Sequence, residues 1–308
     1  MDSSSLRSPS LANVRRQAIE RLRKVYSLEE AQAITRTLLK HFLPDWEMDW
    51  LTSRGQAPFP PHRLAQWESA LSAAAQGYPV AYILGYTTFL GYRITVQPGV
   101  FIPRPETEEW IAWTIQYLAD RPPQRILEIG SGSGALLVAL GKALPQAALF
   151  ALDKNPLAIH LTQKNCHTYG LQVLAELHDL LQNPPLPPSW EGYQWDLIIS
   201  NPPYIPHADK ENVAPNVLAH EPYEALFCED VEFYQRIGQI ALESLSPGGV
   251  LVAELYPPTA QKVEEIYRGF GMEVTLYRDL SGRWRWIVAS LSEKVRTFGT
   301  VSGSSSAR

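Results

Sequence analysis

The run of residues best suited to chemistry in this sequence is Asn201-Pro202-Pro203-Tyr204. It follows Trp195-Asp196-Leu197-Ile198-Ile199-Ser200, an apolar stretch that reads as a buried strand of a parallel sheet. In open α/β sheets, ligands bind beyond the carboxyl ends of the strands, which is where these four residues fall. Proline has no backbone N–H and holds the residue before it in extended conformations, so the run makes a stiff turn with outward-facing carbonyls. Asn201 Oδ1 and the Pro202 carbonyl can each accept one hydrogen of a planar –NH2 group, while Tyr204 packs nearby. Asn201, Pro202 and Tyr204 are therefore the candidate catalytic residues. Asn201, Pro202, Pro203 and Tyr204 are the candidate substrate-binding residues.

A second constellation lies upstream. Ile126-Leu127-Glu128-Ile129 enters the turn Gly130-Ser131-Gly132-Ser133-Gly134, which opens into the helical run from Ala135 to Leu140. The spacing is G-x-G-x-G rather than the dinucleotide G-x-G-x-x-G, which weakens a pyrophosphate reading. A strand over Ala148–Leu152 ends in Asp153, placed to accept from ribose hydroxyls. A third strand over Gln172–Leu177 leads to His178-Asp179-Leu180, where Asp179 can accept from an adenine amino group and Leu180 can cover the ring. Adenine, ribose and a glycine turn without a phosphate site describe S-adenosylmethionine better than NAD. The candidate cofactor residues are Glu128, Gly130, Ser131, Gly132, Ser133, Gly134, Asp153, Asp179, Leu180 and Asn201.

Together these residues resemble the class I S-adenosylmethionine-dependent methyltransferases, in their amino-methylating branch with N-P-P-Y. Tyr82-Ile83-Leu84-Gly85, Pro98-Gly99-Val100-Phe101-Ile102-Pro103-Arg104-Pro105-Glu106-Thr107-Glu108, Glu221-Pro222 with Ala225-Leu226, and Asp279-Leu280-Ser281-Gly282-Arg283-Trp284-Arg285 narrow the likeness. They resemble the HemK/PrmC family, the protein-glutamine N5-methyltransferases that act on peptide chain release factors. The resemblance implies methyl transfer to the glutamine side-chain amide of the GGQ loop, with S-adenosylhomocysteine as product and class I release factors as partners. It also implies an α/β fold: a seven-stranded Rossmann-like class I methyltransferase sheet, a small N-terminal helical domain and a β-hairpin linker. Three places depart from the family pattern. Glu128 stands where aspartate is usual, Leu180 where an aromatic is usual, and Glu254-Leu255-Tyr256-Pro257-Pro258 replaces the usual E-x-G-x-x-Q.

Composition narrows the alternatives. With 308 residues, 45% of them hydrophobic, the chain can bury a large core and a second, smaller one. A formal net charge of −5 argues against gripping a nucleic-acid backbone over many phosphates. That lowers, without removing, the alternative of adenine-N6 methylation of nucleic acid; a catalytically silent adaptor for translation factors is the other. Two cysteines are too few for a disulfide framework, and seven histidines show no metal-ligand spacing, so no metal is expected. No apolar run approaches a membrane span and no secretory signal is visible, so a cytoplasmic monomer without membrane contact is expected.

The elements that must position these groups can be read in outline. Helical spacing starts at Leu11, and Ser27-Leu28-Glu29-Glu30 is a capping box for a helix toward Phe42. A third helix covers Arg63 to Ala75. Tyr82 to Val100 reads as a β-hairpin linker, and from Glu106 onward helix and strand alternate as in a doubly wound sheet. Late strands fall at Val250–Leu255, Met272–Tyr277 and Trp284–Ala289, the last two antiparallel. The expected division is a flexible N-terminus over 1–10, a helical substrate-docking domain over 11–78, a linker over 79–104, the methyltransferase domain over 105–293 and a flexible tail over 294–308.

Overall fold

The computed structural model describes residues 8–182 and 185–291; the tail expected over 294–308, and most of the N-terminus expected over 1–10, lie outside them. Chain contacts divide it into two compact units. One holds the residues up to Gly85 with Pro215–His220, the other Tyr86–Ala214 with the residues from Glu221 onward.

The first unit is helical. In α1 (Leu11–Leu22), Leu11, Val14, Ala18 and Leu22 are buried at the three- and four-residue spacing that lines one helix face. Residues 8–10 are anchored: the Pro9 carbonyl accepts Phe59 N–H at 2.9 Å, and Ser10 caps α1 through Asn13 N–H at 3.3 Å. In α2 (Leu28–Phe42) the capping box forms as expected, with Glu30 N–H to Ser27 Oγ at 3.2 Å and Ser27 N–H to Glu30 Oε2 at 2.9 Å. The helix α3 (Trp46–Ser53) was not expected, because only Trp46 is buried in it and no side chain caps its start. In α4 (Leu64–Ala74), Trp67 packs on Phe59 and Phe42 in the core. Residue Tyr82, expected in the hairpin, lies in α5 (Val80–Leu84); Pro79 starts this short helix and Gly85 ends it. The Pro215–His220 helix completes the unit, with the His220 ring edge-on to Tyr78 at 4.9 Å.

The second unit opens with the hairpin β1 (Tyr86–Phe89) and β2 (Tyr92–Thr95). Then follow α6 (Pro105–Tyr117), β3 (Arg125–Ile129), α7 (Ala135–Ala143), β4 (Ala148–Asp153), α8 (Pro156–Thr168), β5 (Val173–Leu177) and β6 (Trp195–Ser200). The two-residue parallel pair β7 (Ile205–Pro206) and β8 (Phe227–Cys228) brackets the segment that includes the Pro215–His220 helix, numbered α9. The unit ends with α10 (Glu232–Ser244), β9 (Leu245–Glu254), α11 (Ala260–Gly269), β10 (Met272–Arg278) and β11 (Trp284–Leu291). Seven strands form one sheet in the order β10-β11-β9-β6-β3-β4-β5. Six strands run in one direction and β11 alone runs against them. Burial on both faces explains why the central strands are mainly apolar rather than alternating, with Glu128 in β3 and Asp196 in β6 as exceptions.

Register decides what meets at the top of the sheet. Ile129 pairs with both Leu152 and Ser200, and Ser200 pairs with Ala253. Gly130, Asp153, Asn201 and Glu254 therefore follow in one row. At the opposite edge, Asp196 accepts Gln124 N–H at 2.8 Å, Arg125 N–H at 3.0 Å and Ser246 Oγ–H at 2.5 Å, tying the starts of β3, β6 and β9 together. No helix among the described residues is long and apolar enough to cross a membrane.

Candidate active site

The strand order turns back between β3 and β6: β3, β4 and β5 spread to one side, β6 and β9 to the other. Crevices open at such a switch point. A cavity lies there, lined by residues of both constellations, including Glu128, Gly130, Ser131, Gly132, Ser133, Asp153, Asp179, Leu180 and all of Asn201 to Tyr204. Gly134 is the exception among the candidates. It stands behind the turn as the N-cap of α7, and an added Cβ would come 2.8 Å from Thr162 Cα, so it serves close helix packing.

Helix α8 braces the glycine turn from below. Thr162 Oγ1 donates to Ser131 Oγ at 2.9 Å, and Asn165 Nδ2 donates to the Ser133 carbonyl at 2.8 Å and to the Thr95 carbonyl at 2.9 Å. Asn155 Nδ2 holds the Gly99 carbonyl at 2.8 Å. Within the turn, Gly130 and Ser131 N–H donate to the Leu152 carbonyl, Gly134 N–H to the Ser131 carbonyl, and Gly132 N–H to Asp153 Oδ2 at 2.9 Å. These four donors are committed to the protein, so the turn does not offer them to a phosphate. The reading against a pyrophosphate thus gains a structural reason.

The carboxylates of the cavity differ in their partners. Asp153 accepts Gly132 and Asn155 N–H at 2.9 Å each, yet burial still raises its pKa above the ordinary aspartate value. Glu128 is 1% exposed, and its Oε2 has no hydrogen-bond partner. Burial, and then the charge of Asp153, push it well above the ordinary glutamate value. An orphaned, buried carboxylate oxygen costs free energy unless a donor reaches it. A cofactor carrying an ammonium would supply that donor, so the residues present fit S-adenosylmethionine.

At the end of β6, Asn201 Nδ2 lies 3.5 Å from Thr107 Oγ1, and Tyr204 O–H donates to Glu254 Oε1 at 3.4 Å. Burial, followed by Glu254, holds the Tyr204 phenol far above the ordinary tyrosine value. Glu254 Oε2 also accepts Thr107 Oγ1–H at 2.7 Å and Trp110 Nε1–H at 2.9 Å. Arg104 donates to Glu221 Oε1 at 2.5 Å, Ile102 N–H reaches Glu221 Oε2 at 3.3 Å, and the guanidinium covers Phe101. Sequence reasoning gave Thr107, Phe101 and Glu254 no role. Thr107 and Phe101 stood inside a recognised motif; for Glu254 the signal was a carboxylate closing an apolar strand, as Glu128 sits near the end of β3.

Residues 13–85 match the PrmC N-terminal domain, and residues 91–227 match the Methyltransferase small domain. The release factor glutamine methyltransferase of Flavobacterium psychrophilum is 31% identical over 284 residues, covering 90% of this chain and 98% of the relative. The MTRF1L release factor glutamine methyltransferase of Homo sapiens is 34% identical over 235 residues, covering 70% of this chain and 68% of the relative. Among solved structures, the hMettl16 catalytic domain, in complex with MAT2A 3′UTR hairpin 6, superposes with a TM-score of 0.51 at 16% identity. It covers 73% of this chain and 82% of that one, a likeness of fold alone. At the identity and coverage of these relatives, the chain belongs to the release factor glutamine methyltransferase family.

Proposed function

We propose that this chain transfers a methyl group from S-adenosylmethionine to the side-chain amide nitrogen, N5, of the glutamine in the GGQ loop of class I peptide chain release factors. The observation that carries the reading is that Asn201 to Tyr204 and the Glu128–Ser133 turn face one cavity, in a chain of this family. When bound, S-adenosylmethionine supplies an electrophilic methyl group on a sulfonium whose charge is lost on transfer. Glu128, Asp153, Asp179, Leu180 and the glycine turn would hold it.

An amide nitrogen is a poor nucleophile because its lone pair is delocalised into the carbonyl. Asn201 Oδ1 and the Pro202 carbonyl engage its two N–H bonds, which favours a more pyramidal nitrogen with its lone pair aimed at the methyl carbon. Holding the partners in line supplies much of the acceleration. Tyr204 shapes the pocket and stays protonated at neutral pH, so it does not act as a base. The methylated amide is strongly acidic and loses its proton to water after transfer. The helical domain over 11–78 serves to dock the release factor, and the two free, buried cysteines fit a cytoplasmic setting.

The test is mass spectrometry of an unmethylated release factor incubated with the protein and S-adenosylmethionine. One added methyl group on the GGQ glutamine, lost with Asn201→Ala while cofactor binding persists, is the expected result. Methylation of a nucleic-acid amino group instead, or undiminished activity in Asn201→Ala, would overturn the reading.

A further inference from the structure

Glu254 closes β9 in the row where Asn201 follows β6, and it is 1% exposed. Its Oε2 accepts from Thr107 Oγ1 at 2.7 Å and from Trp110 Nε1 at 2.9 Å; its Oε1 accepts from Tyr204 O–H and lies 3.8 Å from Arg285 Nη1. An indole N–H can only donate, and a hydroxyl carries a single proton. Oε2 therefore receives both donors, and the Thr107 proton is committed to it. What remains on Thr107 Oγ1 is acceptor capacity, and it faces Asn201 at 3.5 Å. Only an N–H satisfies that position. Turned over, the Asn201 amide would set Oδ1 against Oγ1, acceptor against acceptor.

We propose that Glu254, acting through Thr107, is a positioning pair that fixes the Asn201 amide with its nitrogen inward and its oxygen toward the acceptor, and so makes the pocket selective for an –NH2 group. The inference rests on the methyl-transfer reading above. The physical consequence is one of hydrogen-bond polarity. With Oδ1 outward, the pocket presents two acceptors, Oδ1 and the Pro202 carbonyl, to the two hydrogens of a primary amide. With the amide reversed, it would present a donor beside an acceptor, which suits a carboxylic acid or a hydroxyl and repels one N–H of glutamine. The polarity chain therefore runs Trp110 and Thr107 to Glu254, Asn201 to Thr107, and substrate to Asn201. Of the candidate cofactor residues only Asn201 belongs to it, so the pair bears on the methyl acceptor far more than on cofactor affinity.

The experiment compares wild type, Thr107→Val and Thr107→Ser, each with Asn201 intact and with Asn201→Ala, by single-turnover methylation of a release factor, S-adenosylhomocysteine binding and thermal melting. Thr107 is 1% exposed, and valine matches its shape without the hydroxyl. Thr107→Val is expected to lower the methyl-transfer rate at least tenfold, about 1.4 kcal/mol of barrier. S-adenosylhomocysteine affinity stays within about twofold, since the hydroxyl's contacts run to Glu254 and Asn201 and to none of Glu128, Asp153, Asp179 or the glycine turn. Thr107→Ser restores the rate. In the Asn201→Ala background, Thr107→Val has no further effect, the non-additivity of residues acting as a unit. A purely structural role would instead lower melting temperature and rate together in both backgrounds. If Thr107→Val does not fold, Thr107→Ala removes the same hydroxyl and is read the same way. A wild-type rate in the hydroxyl-free variant, or an undiminished loss on top of Asn201→Ala, would overturn the positioning role alone. Failure of the wild type to methylate a release factor would overturn the functional reading.

Discussion

Two glycines of one turn are required for different reasons, and alanine at each separates folding from binding. Gly130 and Gly134 both adopt positive φ, +75° and +74°. Alanine in that region costs about 1–2 kcal/mol at either position. At Gly130 nothing lies within 4 Å of the added Cβ, which enters open space at the cavity wall. At Gly134 the Cβ meets the Thr162 backbone at 2.8 Å and its side chain at 3.1 Å, so overpacking adds about 1–3 kcal/mol. Gly134→Ala should thus lose about 2–5 kcal/mol, a fall of roughly 4–20 °C in Tm, against roughly 2–8 °C for Gly130→Ala. The stabilisation gained from saturating S-adenosylhomocysteine ranks the two variants the other way. A ligand present at 100 times its Kd stabilises by about 2.7 kcal/mol, and a tenfold weaker site forfeits about 1.4 kcal/mol of that. Gly134→Ala retains the full ligand-induced shift and Gly130→Ala loses about half. Melting curves with and without ligand, backed by calorimetric titration, read both effects. A smaller loss of Tm in Gly134→Ala than in Gly130→Ala, or a normal ligand shift in Gly130→Ala, would refute the division of labour.

Further outcomes follow from groups already described. Glu128 has a folded pKa above its unfolded one, so its contribution to stability is present below the ordinary glutamate value and is lost as pH rises toward the folded value. Glu128→Gln should therefore melt higher than wild type without ligand, by a margin that widens from about pH 4.5 upward, while binding S-adenosylmethionine more weakly; a lower Tm at neutral pH would contradict the orphaned-charge argument. Burial pushes the thiols of Cys166 and Cys228 up to about 12. A thiol reagent at about pH 8 should label neither in the native protein and both in denaturant; fast native labelling would show that one is accessible. Ser27→Ala removes the Oγ that accepts Glu30 N–H in the α2 capping box, leaving the Ser27 N–H bond to Glu30 in place, and should cost about 1 kcal/mol, with methylation per folded molecule unchanged.

Local chemistry made much of this molecule legible in the sequence. The α2 start was readable because a capping box is a four-residue signal, and β3, β4 and β6 because strands buried on both faces leave mainly apolar runs. The helix α3 was not, since Trp46 alone anchors it while Met48 and Leu51 are exposed, which erases periodicity. Tyr82 was misplaced in the hairpin because five residues are too few to display a helical repeat. Most cavity residues were named from motifs. The contacts that orient them were hidden: Thr107 and Glu254 are 147 positions apart, and no local pattern announces a hydrogen bond between them.

The alignment of strand ends has a consequence for how such a protein can change. The spacing between the cofactor turn and the acceptor turn is a step of the backbone ladder between β3 and β6, indexed at the far edge by Asp196. Nothing in that ruler depends on what the molecule outside the cavity recognises. The residues at the cavity's edge beyond Tyr204, namely Ile205 and Pro222 with Glu224 to Leu226, hang on a two-residue strand pair and a short helical turn. Changes there leave the β3–β6 register, and with it the spacing of the two turns, untouched. The juxtaposition of the cofactor turn and the acceptor turn is thus a property of the sheet and not of the loops around it.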